Sequence, residues 1–401
     1  MRVCLLTPEF LPSWGGIGTY TYYLARGLQA HAEVSVVTSD ATLQMDHLAG
    51  LEHVQIHQLP TGGKGRAGAS SLRFQMAVWK HLPRLVREGG FDIVHSNHAQ
   101  MSDVLARLRP MDTNAVVTIH TTLDSQLAGT LQASPVAQPQ GSERTVLRHR
   151  HLLRMVERRY LKRSPSLIFV SRWIQEQALK NYGLRPRNSK VVPNAVDTEM
   201  FSPYRWPPAS RPDEPSGDAH RFTLLYAGRL LAQKGLGTLL QAIRFMPPRV
   251  HVVIAGPGNP SPWREFATRH GIPANRYEFV GRVAYEDMPD LYHSADAVVL
   301  PSFLESCPLA GLEAMSSGTP LIAADVGGIS EIVRDGETGF LFPAGDARAL
   351  GARVASVAED GPAVHRVIFS ARHWIETNAT VARMAGQTLD LYRDALGEAN
   401  T

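Results

Sequence analysis

The stretch ADAVVLPSFLESCPLAGLEAM, residues 295–315, passes from an apolar run through a turn-rich segment into a helical pattern. The four apolar residues 297–300 are typical of a buried parallel strand. Pro308 suits the first position of the helix that follows, because its missing N–H would have no partner there. A strand that leads through a short turn into a helix is the repeating unit of a doubly wound α/β fold.

Similar apolar runs alternate with helical patterns along most of the 401-residue chain. Before residue 200, the predicted strands are 3–6, 34–38, 93–95, 116–119 and 167–170, with helical patterns at 19–28 and 74–86. After residue 220, the predicted strands are 223–227, 251–255, 277–280, 297–300 and 320–323. This alternation predicts two doubly wound, Rossmann-like domains of the α/β class.

The alternation breaks at 202–220, where SPYRWPPASRPDEPSGDAH holds five prolines and no periodic apolar pattern. We therefore expect an N-terminal domain over 1–201, a linker over 202–220 and a C-terminal domain over 221–380. Ligands of doubly wound sheets bind beyond the carboxyl ends of the strands. We expect the two domains to face each other across a cleft and the ligand to bind in that cleft.

The composition is that of a soluble globular protein, with 44% apolar and 19% charged residues. Two cysteines, Cys4 and Cys307, are too few for a disulfide framework and are compatible with a reducing cytoplasm. The first apolar run ends too early for a signal peptide, and no stretch reaches the ~18 apolar residues of a membrane span. We therefore expect a cytoplasmic protein, either free or peripheral on the inner face of the membrane.

Positive charge is concentrated in residues 144–163, which hold eight Lys or Arg and one Glu. The net charge of the whole chain is +4, so the remainder is slightly acidic, which argues against nucleic acid as a partner. A helical wheel places Val146, Leu152, Leu153, Val156 and Tyr160 on one side and Arg144, Arg148, Arg154, Arg158 and Lys162 on the other. The cationic side is either a solvated face or a surface that attracts anionic lipid or a phosphate-bearing acceptor.

A glycine-rich turn, with Gly15, Gly16 and Gly18, follows the first predicted strand and leads into a helix. Its backbone N–H groups can approach an anion at the helix N-terminus, although a simple tight turn is the alternative. Thr21 stands where a Rossmann dinucleotide fingerprint needs its third glycine, which disfavours a dehydrogenase.

The turn at 228–235 also links a predicted strand to a helix, and it carries Arg229 and Lys234. Arg grips a phosphate through a planar fork and Lys acts as a point charge, so the pair suits a diphosphate. Two solvated surface cations are the alternative.

Glu305 and Glu313 flank the start of the helix after Pro308, where the N–H groups of Leu309 and Ala310 suit an anion. One carboxylate could accept hydrogen bonds from a transferred sugar and the other from a ribose; two unrelated helix-end glutamates are the alternative. His120 ends a predicted strand, where it could touch a substrate or serve the structure. His95 and His98 have a spacing seen in metal sites, but two ligands do not make a site.

Taken in order, these segments resemble the group 1 glycosyltransferases, family 4 of the retaining GT-B enzymes, over nearly the whole chain. The resemblance lies in PEFLPSWGGIGTY, VTIHTT, VVPNAVDTEMF, YAGRLLAQKG, FVGRVAYEDMPDLYHSADAVVLPS and ESCPLAGLEAMSSGTPLIAADVGGISEIVRDGETGFLF. The last block contains the family's two glutamates with seven residues between them. The family often has glycine where this chain has Pro308.

The resemblance implies a role for each matching residue. The counterpart of Glu305 contacts the donor sugar near the reacting carbon, that of Glu313 binds the ribose, and that of His120 lies beside the transferred sugar. The implied catalytic residues are Glu305, His120, Arg229 and Lys234. The implied donor-binding set is Gly15, Gly16, Arg229, Lys234, Arg282, Val283, Ser306, Cys307, Pro308, Leu309 and Glu313. A last helix over 381–398 is expected to pack back on the N-terminal domain.

The resemblance implies transfer of a hexose from a UDP- or GDP-linked donor to a lipid-linked, saccharide or small-molecule acceptor, with retention of configuration. No Asp-x-Asp motif is present, so we expect neither a metal nor another cofactor, and the protein's cations would hold the diphosphate. Retention in one step and retention through an enzyme nucleophile both remain open. A nucleotide-sugar-binding protein without transfer activity is the alternative from another class.

Overall fold

The fold is known from a computed structural model that describes residues 1–10, 15–39, 50–61, 67–97, 101, 103–108, 113–134, 136–139, 142–203 and 221–397. The strands in this part of the chain are β1 (Arg2–Leu6), β2 (Glu33–Ser39), β3 (Val54–Leu59), β4 (Ile93–Asn97), β5 (Asn114–Ile119), β6 (Ser166–Phe169), β7 (Asn188–Val191), β8 (Phe222–Ala227), β9 (Val250–Ala255), β10 (Tyr277–Gly281), β11 (Ala297–Leu300), β12 (Leu321–Ala324) and β13 (Phe340–Phe342).

The helices are α1 (Gly16–Leu28), α2 (Ala67–Gly89), α3 (Leu123–Ala133), α4 (Ser142–Lys162), α5 (Arg172–Tyr182), α6 (Leu236–Ala242), α7 (Ser261–Arg269), α8 (Met288–His293), α9 (Leu309–Ser316), α10 (Ala347–Glu359), α11 (Gly361–Asn378) and α12 (Val381–Leu396). Helix α5 shows how local sequence sets such bounds. Ser171 Oγ accepts a hydrogen bond from the Ile174 N–H at its start, and Gly183, at φ +59°, ends it.

The chain forms two compact units, and each contains one parallel sheet. Unit 1 comprises Met1–Asp124, His149–Ala195 and Val381–Thr401; unit 2 comprises Ser125–Arg148 and Val196–Thr380. The expected domains were 1–201 and 221–380, whereas 125–148 and 196–201 belong to unit 2. Most of the expected linker, 204–220, lies outside the described residues.

The sheet of unit 1 has the strand order β3-β2-β1-β4-β5-β6-β7, and that of unit 2 the order β10-β9-β8-β11-β12-β13. Every neighbouring pair is parallel. The winding direction reverses between β1 and β4 in unit 1 and between β8 and β11 in unit 2. At such a reversal the carboxyl ends of two adjacent strands open a crevice where ligands of doubly wound sheets bind. The prediction of two doubly wound sheets of the α/β class is thereby confirmed.

The central strands are apolar because helices cover both of their faces. In β1, the side chains from Val3 to Leu6 are at most 2% exposed. Helix α12 belongs to unit 1 and packs closely on α1. A Cβ added at Gly27 of α1 would lie only 2.7 Å from the Ala385 Cβ of α12.

The segment 125–148 contributes to the core of unit 2, with Ala133 and Ala137 buried in it. A Cβ added at Gly237 of α6 would lie 3.0 Å from Val136 Cγ1. A Cβ added at Gly129 of α3 would lie 2.7 Å from the Leu304 Cβ. These close approaches fix the segment against α6 and against the loop that follows β11.

Helix α4 departs from the wheel drawn from the sequence at one position. Leu152 was predicted on the apolar side, but it is 58% exposed, and Met155 is 62% exposed. The reason is helical spacing: Leu152 lies three residues before Met155 and seven before Arg159, which places all three on one face of the helix. Within the described part of the chain, no helix combines the length and hydropathy that crossing a membrane requires.

Candidate functional site

Two side chains hold the backbone of the loop after β8, residues 228–235, by hydrogen bonds to its carbonyl groups. Tyr226 Oη donates to the Arg229 carbonyl at 2.7 Å, and Trp263 Nε1 donates to the Leu230 carbonyl at 3.3 Å. The backbone beside Arg229 is therefore fixed while its side chain stays exposed. An exposed guanidinium on a fixed loop is available to a ligand at the carboxyl end of the sheet.

This loop packs directly against the loop that follows the neighbouring strand β11. Gly235 has φ +73°, and a Cβ there would lie 1.7 Å from the Pro301 carbonyl oxygen, so only glycine fits. The Phe303 N–H donates to the Gln233 carbonyl at 2.8 Å. The two loops at the β8–β11 crevice thus form one joined surface.

An ion pair crosses this surface. Lys234 Nζ donates to Glu305 Oε1 at 2.6 Å, and Ser302 Oγ donates to the same oxygen at 2.7 Å. The Lys234 side chain is 24% exposed and that of Glu305 8% exposed. The structure therefore brings together two of the predicted site residues, 71 positions apart in sequence. It places a carboxylate and an ammonium at the carboxyl ends of adjacent strands.

Helix α9 begins beside Glu305. Pro308 was predicted at the first position of this helix, but it is the residue before it, because its backbone is extended (φ −73°, ψ 122°). The N–H groups of a first helical turn, here those of Leu309 and Ala310, have no partner within the helix. Ser306 and Cys307 are buried just before it. Ser306 Oγ has no hydrogen-bond partner among the described residues, which is unusual for a buried hydroxyl and is what a ligand-binding position would show.

Glu313 lies inside α9 with its carboxyl group buried. Tyr292 Oη donates to Glu313 Oε2 at 2.7 Å. Burial raises the pKa of Glu313 to about 7, and the hydrogen bond from Tyr292 partly opposes this shift. Because Tyr292 is the donor, Glu313 acts here as an acceptor, the role needed for hydroxyl groups of a ribose.

Arg282 and Val283 directly follow β10, at the carboxyl edge of the same sheet. Gly281 has φ +79° and its carbonyl accepts the Gly256 N–H at 2.7 Å, which turns the chain beyond the strand. Arg282 is exposed and Val283 is half-buried. The backbone N–H and carbonyl groups of both residues therefore lie beyond the carboxyl end of β10.

In unit 1, helix α1 begins at the predicted glycine turn, with Gly15 as its N-cap and Gly16 exposed. A Cβ added at Gly15 would lie 2.5 Å from Glu9 Oε2, so the Glu9 carboxylate packs against this turn. The sequence reading missed Glu9. The preceding part of the matching motif, 11–14, lies outside the described residues.

His120 follows β5 in unit 1 and is held on two sides. Its Nε2 lies 3.1 Å from Asn97 Oδ1, and its ring meets that of Tyr20 edge-on at 4.5 Å between centroids. Asn97 Nδ2 in turn donates to Thr21 Oγ1 at 2.8 Å. Asn97 and Tyr20 therefore orient the imidazole, and the sequence reading had not identified either.

His95, by contrast, is a buried structural histidine. Its Nδ1 lies 2.6 Å from Tyr392 Oη of α12, and its Nε2 lies 2.6 Å from Thr118 Oγ1. Burial, together with nearby His120, lowers the pKa of His95 to about 3. With both nitrogens engaged it cannot ligate a metal, and His98 lies outside the described residues. No group of three metal-ligating side chains occurs among the residues that the structure describes.

Comparison with known proteins agrees with this arrangement. The profile of "Glycosyl transferases group 1" matches 212–374, and that of "Glycosyltransferase Family 4" matches 14–200. A D-inositol 3-phosphate glycosyltransferase of Geodermatophilus obscurus is 30% identical over 86% of this chain and 77% of its own length. A glycogen synthase of Mycobacterium tuberculosis is 27% identical over 98% and 94%.

A solved structure has the same fold. Anabaena Alr3699/HepE, determined in complex with UDP and glucose, superposes with a TM-score of 0.72 at 21% identity, over 97% of this chain and 98% of that one. The two profiles together cover every strand of both sheets except β1, and the inositol phosphate glycosyltransferase is similar along most of its length. This chain belongs to the group 1 glycosyltransferases.

Proposed function

We propose that the protein transfers a hexose from a nucleoside diphosphate to a hydroxyl group, with retention of configuration at C1 and without a metal ion. The observation that carries the proposal is the joined surface at the β8–β11 crevice. There, Lys234 contacts Glu305 at 2.6 Å, and the exposed Arg229 lies on the same fixed loop. Two cations beside a helix N-terminus suit a diphosphate, and a carboxylate beside them suits a sugar.

The chemistry that we propose needs no separate protein base. The bond between C1 and the phosphate oxygen breaks, and the acceptor oxygen bonds to C1 on the same face. The acceptor's proton passes to the departing phosphate oxygen. Arg229, Lys234 and the N-terminus of α9 stabilise the charge that develops on the diphosphate. Glu305 is engaged by Lys234 and Ser302, which favours a role in binding the sugar over nucleophilic attack.

A screen of UDP-, GDP- and ADP-hexoses by thermal shift tests the donor. A bound donor raises the apparent melting temperature by mass action. The Anabaena protein was solved with UDP and glucose, so we expect UDP-glucose to be among the donors that stabilise the protein. Absence of a shift with every nucleotide sugar would refute the proposal.

Release of free nucleoside diphosphate then separates an enzyme from a protein that only binds. Two relatives are named glycogen synthase and D-inositol 3-phosphate glycosyltransferase, so glycogen fragments and inositol 3-phosphate are the first acceptors to test. Diphosphate release above the Glu305→Ala background supports transfer. Binding without release in the presence of every acceptor supports the alternative, a nucleotide-sugar-binding protein.

For the acceptor side, we propose that α4 contacts an anionic membrane. The observation is its exposed face, on which Leu152 and Met155 lie among Arg158, Arg159 and Lys162. Exposed apolar side chains flanked by cations are typical of a helix that lies at the surface of an anionic bilayer. Each cation near such a surface contributes about 1 kcal/mol.

Co-sedimentation with liposomes tests this contact. We expect binding to vesicles of phosphatidylglycerol and phosphatidylcholine, less at high salt, and none to phosphatidylcholine alone. The double variant Leu152→Ser, Met155→Ser should weaken binding. Leu131→Ser should not, although Leu131 is also exposed (59%), because it lies outside α4. Equal sedimentation with both kinds of vesicle would leave α4 as a solvated helix.

A further inference from the structure

Glu143 is a buried carboxylate whose partners lie far away in the sequence. It belongs to the first turn of α4, within the part of unit 2 formed by 125–148, and is only 4% exposed. Glu143 Oε1 accepts the Gln233 N–H at 3.0 Å, and Oε2 lies 3.3 Å from the Ala232 nitrogen, which donates to it. Both N–H groups belong to the loop that carries Arg229 and Lys234.

These two N–H groups start a short 3₁₀ turn, Ala232–Lys234, which has no side-chain cap of its own at its start. The residue before the turn, Leu231, offers no side-chain hydrogen bond. The opening N–H groups of a helical turn have no partner within it, so a carboxylate placed on them satisfies both. A charged acceptor also makes stronger hydrogen bonds than a neutral one.

The position of the cap determines where Lys234 stands. The turn is held by Glu143 at its start and by the Phe303 N–H, which donates to the Gln233 carbonyl, in its middle. Lys234 is the last residue of the turn, and its ammonium reaches Glu305 from there. Without the carboxylate, the turn could relax and carry the ammonium away from its place.

The same contact decides which groups of the loop can meet a phosphate. The N–H groups of Ala232 and Gln233 are already engaged by a carboxylate, and an anion cannot share them without displacing it. The diphosphate must therefore be met by the side chains of Arg229 and Lys234 and not by the amides of this turn.

We propose that Glu143 is a positioning residue of the donor site, which sets the loop 228–235 so that its cations meet the diphosphate of the donor. The inference rests on the proposed function. It assigns a positioning role in the donor site to a residue that lies some ninety positions before the loop that it supports.

The test compares a nucleoside diphosphate with the corresponding monophosphate. Isothermal titration with UDP and UMP, ADP and AMP, and GDP and GMP identifies the pair that the wild type binds. With that pair, Glu143→Ala should weaken diphosphate binding by about tenfold or more. Monophosphate affinity should stay within about twofold, because the loop cations act on the second phosphate. Glu143→Gln, which keeps an acceptor, should fall between wild type and Glu143→Ala.

Asp346→Ala is the matched control. Asp346 also accepts a backbone N–H, that of Ala349 at 2.9 Å, but it caps α10. Its loss should lower the melting temperature without changing the ratio of diphosphate to monophosphate affinity. Circular dichroism checks that each variant is folded, and if Glu143→Ala does not fold, Glu143→Gln decides alone.

Two failures are distinguishable. If the wild type binds none of the diphosphates, the proposed function fails and the inference fails with it. If the wild type binds one of them and the folded Glu143 variants keep its ratio of diphosphate to monophosphate affinity, only the inference is overturned. Equal loss of both affinities would also overturn it, because Glu143 would then serve only the stability of the unit.

Discussion

Lys234 Nζ lies 2.6 Å from Glu305 Oε1, and this contact joins the loops that follow two adjacent parallel strands, β8 and β11. The pair is partly shielded from water, because the two side chains are 24% and 8% exposed. A preorganised charge at such a position costs little to reorganise when charge develops in a reaction. Substitutions that remove the Lys234–Glu305 ion pair should therefore change catalysis, whereas loss of an ion pair elsewhere should not.

Lys234→Ala and Arg229→Ala should each lower the rate of hexose transfer by about 10²–10³-fold, the usual effect of removing one preorganised donor to a developing charge. Steady-state measurement of diphosphate release checks both. Lys190→Ala is the matched control, because Lys190 forms a comparable ion pair, 2.7 Å from Asp390, in unit 1. Near-normal rates in both site variants would mean that the diphosphate is held elsewhere.

Glu305→Ala should abolish transfer while the protein stays folded. The substitution removes the acceptor for Ser302 and the anionic partner of Lys234, and with them the carboxylate that we assign to the donor sugar. Glu305→Gln should retain the fold and nucleotide binding but not normal turnover. Diphosphate binding by calorimetry, measured beside turnover, distinguishes a lost sugar contact from a lost site. Wild-type turnover in either variant would contradict the assignment.

If Glu313 binds the donor's ribose as we propose, donor affinity should depend on pH. Its pKa is raised to about 7, so the carboxylate that would accept ribose hydroxyls becomes protonated as the pH falls below that value. We expect nucleotide affinity to fall by up to about fivefold between pH 7 and pH 6, because the ionised fraction of Glu313 falls by that factor. Titration calorimetry across pH 5.5–8.5 measures it, those limits being roughly 1.5 units either side of the shifted pKa. Glu313→Gln should flatten the profile; an unchanged profile in that variant would assign the titration to another group.

The same shift predicts an effect on stability of the opposite sense. A carboxyl whose pKa is higher in the folded than in the unfolded protein binds more protons when folded between pH 4.5 and about 7. The contribution of Glu313 to the free energy of unfolding is therefore fully present below pH 4.5 and is lost as the pH rises to about 7. The loss amounts to at most about 3 kcal/mol. In the absence of nucleotide, Glu313→Gln should thus be more stable than the wild type at pH 8, as chemical denaturation will measure.

Transfer should continue in excess EDTA, because the fixed cations Arg229 and Lys234 would do the work of a divalent ion on the diphosphate. Initial rates with and without the chelator test this directly. Loss of activity that Mg²⁺ or Mn²⁺ restores would show that a metal takes part.

The sequence predicted every central strand and one edge strand, β10, and missed the other three edge strands. Every strand predicted from an apolar run is present, whereas β3, β7 and β13, which were not predicted, each form one edge of a sheet. Edge strands are covered less completely, and β3 and β7 are largely half-buried. Their sequences, VQIHQL and NSKV, accordingly lack the continuous apolar run that identifies a central strand.

The candidate site shows the same limit. Local spacing and the family resemblance were enough to select Glu305, Lys234 and Arg229. Glu143 could not be found in this way, because a glutamate in the first turn of a helix is ordinary and its partners lie about ninety residues away. Asn97 was missed for a similar reason, since it contacts His120 from a neighbouring strand.

Proton NMR of the hexose released from an α-linked nucleotide sugar tests the central claim most directly. With the donor that stabilises the protein, slow hydrolysis in the absence of acceptor places water where the acceptor hydroxyl would stand. Spectra taken before the anomers interconvert report the configuration at C1. Our proposal predicts the α anomer, released together with nucleoside diphosphate and absent with Glu305→Ala. Initial release of the β anomer, or equal release by Glu305→Ala, would contradict it.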